Sequence, residues 1–285
     1  MNKKSAVLLL SCPDRKGVVA SIAGFISQHG GNILHADEHG DTDSGTFLMR
    51  VEFDPAGFDL PLDQFAKYFS PIAIDFDMHW RLALSDYRPR MAILVSKYDH
   101  CLVDLLYRHQ SGELPCEIPC IISNHSESQR IADFYHVPFF LVPVRKDNKD
   151  AAERQIRSLL ERHEADFIVL ARYMQILSDE FVKAYPRRII NIHHSFLPAF
   201  VGAKPYHQAF ERGVKLIGAT SHYVTEVLDD GPIIEQDVVR VSHRDSIEDL
   251  IQKGRDLEKV VLSRAVRWHI ENRVLLYGNK TVVFG

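Results

Sequence analysis

The chain is poor in the features that would place it outside ordinary globular proteins. Cysteine occurs only four times in 285 residues, at Cys12, Cys101, Cys116 and Cys120. Cys116 and Cys120 have no second Cys or His pair at zinc-ribbon spacing, so all four read as reduced thiols in or near cores. Histidine is abundant at 15 residues, yet no His-Glu-x-x-His or comparable ligand pattern occurs. No metal and no tightly bound cofactor is expected. Long hydrophobic runs are missing too. The early run Ala6 to Leu10 stops at Ser11-Cys12-Pro13-Asp14, too short for a signal-peptide core or a bilayer span. A cytoplasmic location with no membrane contact is expected. Neither sign of charge dominates: 34 basic against 38 acidic residues give −4, which argues against a nucleic-acid partner. No internal repeat or low-complexity segment is present.

What is there divides into two parts. Residues 5–11 read as a strand. Asp14 is then placed to cap a helix whose apolar positions Val19, Ile22, Ala23 and Ile26 follow the i, i+3, i+4, i+7 pattern. Gly30-Gly31 ends that helix. Strands follow at 32–39 and 46–53, then a helix at 61–69 and a last strand at 72–79. The order is β-α-β-β-α-β, a ferredoxin-like unit over residues 1–82. Residues 83–89, with Pro89, read as a linker. From 90 to 285 strands and helices alternate: strands at 91–95, 116–123, 138–142 and 167–171, with helices at 100–110, 126–135 and 147–163. This predicts an α/β domain with a mostly parallel, Rossmann-like sheet and helices on both faces. A long helix at 247–271 and a strand pair around 275–284 close the chain.

The segment carrying most chemistry is Asn191-Ile192-His193-His194-Ser195-Phe196-Leu197-Pro198. An apolar run at 187–192 leads into it and reads as a buried strand. Side chains alternate along a strand, so Asn191 and His193 share a face and His194 takes the other. Ligands bind at the carboxyl ends of strands in open α/β sheets. Downstream, the stretch His222 to Ile234 supplies a carboxylate, Asp229, in a loop with Gly231-Pro232. Amide, imidazole and carboxylate together suit acyl transfer through a tetrahedral oxyanion.

These two motifs resemble the formyltransferase family that uses 10-formyltetrahydrofolate, whose signature reads Asn-Ile-His-x-Ser-Leu-Leu-Pro, over roughly residues 90–285. The resemblance implies that Asn191, His193 and Asp229 are catalytic. It implies that Leu170, Met174, Gln175, Ile176, Leu177, Ile189, Val224, Thr225 and Glu226 line a folate pocket, with the segment Leu170 to Leu177 around the pterin. His194 and His222 are expected to stand behind the catalytic groups, and Lys204 to approach the site. The family often has Arg where this chain has Gln175. Within the family, His194 and the added N-terminal domain are most similar to members that release formate to water, which would balance one-carbon pools and supply formate for purine synthesis. The alternative is transfer to glycinamide ribonucleotide. Transferases cradle its phosphate with a glycine-rich loop, but here the matching loop is Ser96-Lys97-Tyr98-Asp99-His100, without glycine.

Cys12 to Val19 followed by Gly30-Gly31-Asn32-Ile33 resembles the ACT family of amino-acid-sensing domains. That resemblance implies a homo-oligomer joined through this domain, and an amino-acid effector contacting Asp14, Gly17 and Asn32. A non-catalytic regulator is the runner-up from another class; the intact Asn191, His193 and Asp229 set argues against it.

Overall fold

The computed structural model describes residues 4–199 and 205–285. Lys204 lies outside the described residues. The chain forms two compact units: residues up to Arg88 together with Glu271–Gly285, and Pro89–Ile270.

In the first unit, β1 (Ala6–Pro13), α1 (Val18–Gln28), β2 (Asn32–Asp41), β3 (Thr46–Asp54), α2 (Phe65–Asp75) and β4 (His79–Leu84) build a four-stranded antiparallel sheet in the order β2-β3-β1-β4. Leu8 and Leu10 of β1 pack with Ile22, Ile26, Phe65 and Phe69 of the two helices. The alternate residues Val7 and Leu9 face the other way, which is the period-two pattern of a strand covered on both sides. That second face is covered by Leu275, Val282 and Phe284 from the C-terminal hairpin Val274–Tyr277 and Lys280–Val283. The hairpin therefore belongs with the N-terminal unit, and the second domain ends near residue 270 rather than at 285. Arg50 donates from Nε to the Asn272 carbonyl at 3.1 Å and helps hold it there.

Two local expectations also change. Asp14 does not cap α1: β1 runs on through Pro13, the Asp14 backbone N–H is taken by the Gly45 carbonyl at 2.8 Å, and Gly17 starts the helix at φ 97°. The final strand lies at 79–84 rather than 72–79, so the linker is shorter at its start. Phe65, Phe69 and Ala73 recur every four residues on the buried face of α2, and this helical stripe carries the helix past Pro71. Asp77, at φ 52°, closes it in place of a glycine.

The second unit contains β5 (Met91–Val95), α3 (His100–Gln110), β6 (Ile121–Ser123), α4 (Gln129–Phe134), β7 (Phe139–Leu141), α5 (Lys149–Arg162), β8 (Phe167–Ala171), α6 (Asp179–Ala184), β9 (Ile189–His193), α7 (Pro205–Arg212), β10 (Leu216–Tyr223), β11 (Ile233–Arg240) and α8 (Ile247–Ile270). The seven strands lie in the order β11-β10-β9-β8-β5-β6-β7. The five from β9 to β7 are parallel; β10 and β11 are antiparallel. Every residue of β5 and β8 is buried, as expected for central strands covered on both faces. The chain moves outward from β5 to β6 and β7, then returns to place β8 on the other side of β5. Loops after β5 and β8 diverge at this switch point and open a crevice at the carboxyl edge. None of the four cysteines is in a disulfide, and all are buried. Burial pushes the Cys120 thiol up to about 12, so it stays protonated and inert.

Candidate active site

β9 delivers Asn191 and His193 to the carboxyl edge, and β10 lies antiparallel beside it with His222 opposite Asn191 and Thr220 opposite His193. The chain leaving β10 returns through Asp229, a non-glycine residue at φ 55°. Gly231 then passes so close beneath Tyr223 that a Cβ there would stand 1.7 Å from the Tyr223 carbonyl oxygen. Only glycine permits this approach, and the Pro232 carbonyl completes it by accepting from the Tyr223 N–H at 2.9 Å. The turn brings the Asp229 carboxylate to 3.3 Å from His193 Nδ1 and 3.8 Å from His222 Nε2.

The hydrogen bonds fix the roles of most nitrogens. His222 Nδ1 donates to its neighbour's carbonyl, Tyr223 O, at 2.9 Å. Its Nε2 is then an acceptor in the neutral ring and takes one N–H of the Asn191 amide at 3.2 Å. Burial holds the His222 pKa down, which keeps the ring neutral and the acceptor available. Asn191 thus has one amide proton pinned and one left for a ligand. Asp229 is held below the usual carboxylate range, first by its hydrogen bond with His193. His193 is 5% exposed, and its Nε2 is buried without a hydrogen-bond partner. Buried polar nitrogens are rarely left unpaired, and a catalytic role is one reason for which one is.

A cavity of about 400 Å³ opens over these groups. Leu170, Met174, Gln175, Ile176, Leu177, Val224, Thr225 and Glu226 line it, together with Asn191, His193, His194, His222 and Asp229. Met174, Ile176 and Leu228 are 52%, 62% and 59% exposed, so its rim is apolar surface open to solvent. Ile189 is the exception among the expected residues. It shares the face of Asn191 but lies two residues deeper in β9, in the same core cluster as Phe181 and Tyr185, and contributes only its carbonyl, to the Val224 N–H. Arg172, Tyr173, Val182, Ile192 and Leu228 line the cavity without having been singled out as pocket residues. Arg172 and Tyr173 stand inside the segment that was; nothing local in the sequence marks Val182, on α6.

His194 reaches the cavity wall itself. β9 ends at His193, so strand alternation no longer governs the next residue. The His194 ring reaches the same cavity, 5.1 Å from the His193 ring. Burial and the nearby charge of Arg172 lower its pKa from 6.5 to about 4. The fold therefore accepts only the neutral ring. Between pH 6.5 and 4 the unfolded chain binds a proton here that the folded chain refuses, so stability falls as pH falls through this window, by roughly 3 kcal/mol at most. Urea unfolding at pH 7 and pH 4.5 checks this: His194→Gln should lose less stability between the two than the parent, and an equal loss contradicts it.

Beyond His194 lies a buried charge network. Glu258 of α8 accepts from Tyr206 Oη at 2.6 Å, pairs with His100 Nε2 at 2.7 Å and lies 3.4 Å from Arg172 Nε. Burial opposes its charge, but the hydrogen bond from His100 and the charge of Arg172 outweigh it and hold the carboxyl low. With Cys101 these residues form a cluster of metal-ligand types, but both carboxylate oxygens are taken by protein donors and burial raises the Cys101 thiol well above its ordinary value. The donors suit an internal hydrogen-bond network.

In the first unit the expected effector residues are separate features. Gly17 lies against Phe76, while Asn32 pairs across the sheet with Asp54. No hydrogen bond joins Asn32 to Asp14 or Gly17 among the described residues. Among the described residues, no helix is long and apolar enough to cross a membrane.

An amide, an imidazole and a carboxylate at the edge of a parallel sheet, beside an apolar slot, define an acyl-group-handling unit of the formyl transferase type. Residues 89–266 match the formyl transferase family and residues 6–69 match the ACT domain. A formyltetrahydrofolate deformylase of Synechocystis sp. is 56% identical over 284 residues, covering 100% of both chains. One of Bacillus subtilis is 50% identical, covering 99% of this chain and 95% of its own. The crystal structure of a formyltetrahydrofolate deformylase from Pseudomonas syringae pv. tomato, 51% identical, superposes with a TM-score of 0.98 over 100% of this chain and 96% of that one. The chain belongs to the formyltetrahydrofolate deformylase family.

Proposed function

We infer that the chain hydrolyses 10-formyltetrahydrofolate to tetrahydrofolate and formate, with Asn191, His193 and Asp229 as its catalytic residues. The observation that carries the assignment of roles is the buried, unpartnered His193 Nε2, in a residue that lines the same cavity as Asn191 while its Nδ1 faces Asp229. A flat heteroaromatic needs such a slot, with a few fixed polar groups at one end. The formyl carbon must accept water, build negative charge on its oxygen and release an aryl amine. The free N–H of Asn191 donates to that oxygen. His193, oriented by Asp229, donates from Nε2 to the oxyanion and then passes its proton to N10.

Water rather than a phosphorylated amine is the acceptor. The loop after β5 is committed internally: Ser96 Oγ donates to Asn124 Oδ1 at 2.7 Å and accepts from the Met174 N–H at 2.9 Å. The Glu258 carboxylate lies beside His100 and Cys101 at the start of α3, so a negative charge already stands where that helix would attract phosphate. Incubation with 10-formyltetrahydrofolate should release formate at the same rate with and without glycinamide ribonucleotide. Formyl transfer exceeding hydrolysis would sink the assignment.

The ACT domain supports a free amino acid as effector and assembly through this domain into a homo-oligomer. Calorimetry at millimolar amino acid tests the first, and absence of any binding leaves the domain an assembly module.

A further inference from the structure

We propose that His194 orients the attacking water, accepting a hydrogen bond from it through an unprotonated ring nitrogen. The proposal rests on the hydrolytic reading and adds the group that reading leaves unassigned. Hydrolysis needs an acceptor for a water proton at the formyl end of the cavity. The nearby nitrogens are mostly committed. Asn191 has an acceptor only in its amide oxygen, too weakly basic to draw on a water proton as an imidazole does, the His222 Nε2 lone pair is taken by Asn191, and His193 has Nδ1 facing Asp229. Asp229 gives Oδ2 to His193, and that contact holds its carboxyl below the usual range, which makes it a weaker proton acceptor than a neutral imidazole. His194 lines the same cavity, and neither of its ring nitrogens has a hydrogen-bond partner among the described residues.

Its placement is built, not incidental. Thr220, fully buried on β10, donates to the Ser195 carbonyl at 2.8 Å and accepts from the Leu197 N–H at 3.0 Å, so the turn carrying His194 is clamped on its C-terminal side. Gln236 adds a third bond to the same hydroxyl at 3.0 Å. The Tyr206 ring lies 6.2 Å from the His194 ring, and its hydroxyl is tied to Glu258. Glu258 in turn holds Arg172, whose guanidinium lies 5.5 Å over the Tyr98 ring. A fixed cation beside an imidazole disfavours a second positive charge, which leaves the His194 lone pair free. Arg172 and His193 both act in that direction, while Glu258 and Asp229 oppose them, and burial decides the balance.

In the step itself, the water oxygen bonds to the formyl carbon and the C–N10 bond breaks. One water proton replaces the proton that His193 delivers to N10. The other leaves with the formic acid, which ionises to formate. His194 holds a water proton in a hydrogen bond during attack and gains none overall.

Hydroxylamine separates this role from a structural one, because its nitrogen attacks with its own lone pair and needs no prior proton removal. With His194→Ala, formate release should fall by about 10²-fold or more, the scale of lost proton-transfer assistance. Folate affinity should stay within about twofold, since the group acts after binding. Enzyme-dependent formation of formylhydroxamate from added hydroxylamine should fall by less than about threefold, since that attack bypasses the lost assistance. His194→Gln, which restores an acceptor oxygen, should recover part of the hydrolysis and serves if the alanine variant does not fold. If hydrolysis and hydroxamate formation fall together, or hydrolysis survives in His194→Ala above about a tenth of the parent rate, below the range of such assistance, the proposal is overturned. Absence of formate release by the parent protein would instead overturn the hydrolytic reading beneath it.

Discussion

Replacing His193 with Ala is expected to lower turnover by about 10²–10⁴-fold, the range of a lost general acid. Asn191→Ala should cost about 10²–10³-fold, the usual loss for one oxyanion donor. Folate affinity should change little in either, because both groups answer charge that arises after binding. Asp229→Ala belongs with them: the His193 Nδ1 to Asp229 distance of 3.3 Å makes the carboxylate the partner that orients the ring. The three groups act as one unit, so the double variant Asn191→Ala/His193→Ala should fall far short of the product of the single losses. Steady-state kinetics with parallel folate binding checks this. A single variant keeping more than about a tenth of parent turnover would remove that residue from its role.

Gly231→Ala is expected to be nearly as damaging, although Gly231 touches no substrate. An alanine Cβ would stand 1.7 Å from the Tyr223 carbonyl oxygen and 3.3 Å from His222 Nδ1. Backbone cannot yield as a flexible side chain does, so the turn must shift, carrying Asp229 with it and disturbing the bond from His222 Nδ1 to Tyr223. A displacement of about 1 Å at a catalytic group costs on the order of 10²-fold in rate. Turnover should therefore fall by about that factor while folate affinity and the far-UV spectrum stay close to the parent. Unchanged turnover would show that the Asp229 turn is not held by this contact.

These effects separate what the sequence makes legible from what it does not. Strands β5 and β8 are readable because a central parallel strand is a short, uninterrupted apolar run. Asn191, His193 and Asp229 are readable because two motifs in a fixed order carry them. The stretch 72–79 misleads because its apolar spacing fits a strand as well as a helix, and only burial of Phe65, Phe69 and Ala73 on one face decides. The C-terminal hairpin misleads because chain order says nothing of which core a terminal strand pair covers. Ile189 shares a face with Asn191 but not its depth, which alternation cannot convey. His194 escapes because the strand stops one residue before it. The network of Glu258, Tyr206, His100 and Arg172 was invisible, since its members lie far apart in the chain and meet only through packing of α8.

The central claim, that water is the formyl acceptor, is tested most directly by isotope. A reaction in H₂¹⁸O should give tetrahydrofolate and formate in equal amounts, each formate carrying one ¹⁸O from solvent. Tetrahydrofolate formed without formate, or formate without the label, would contradict it.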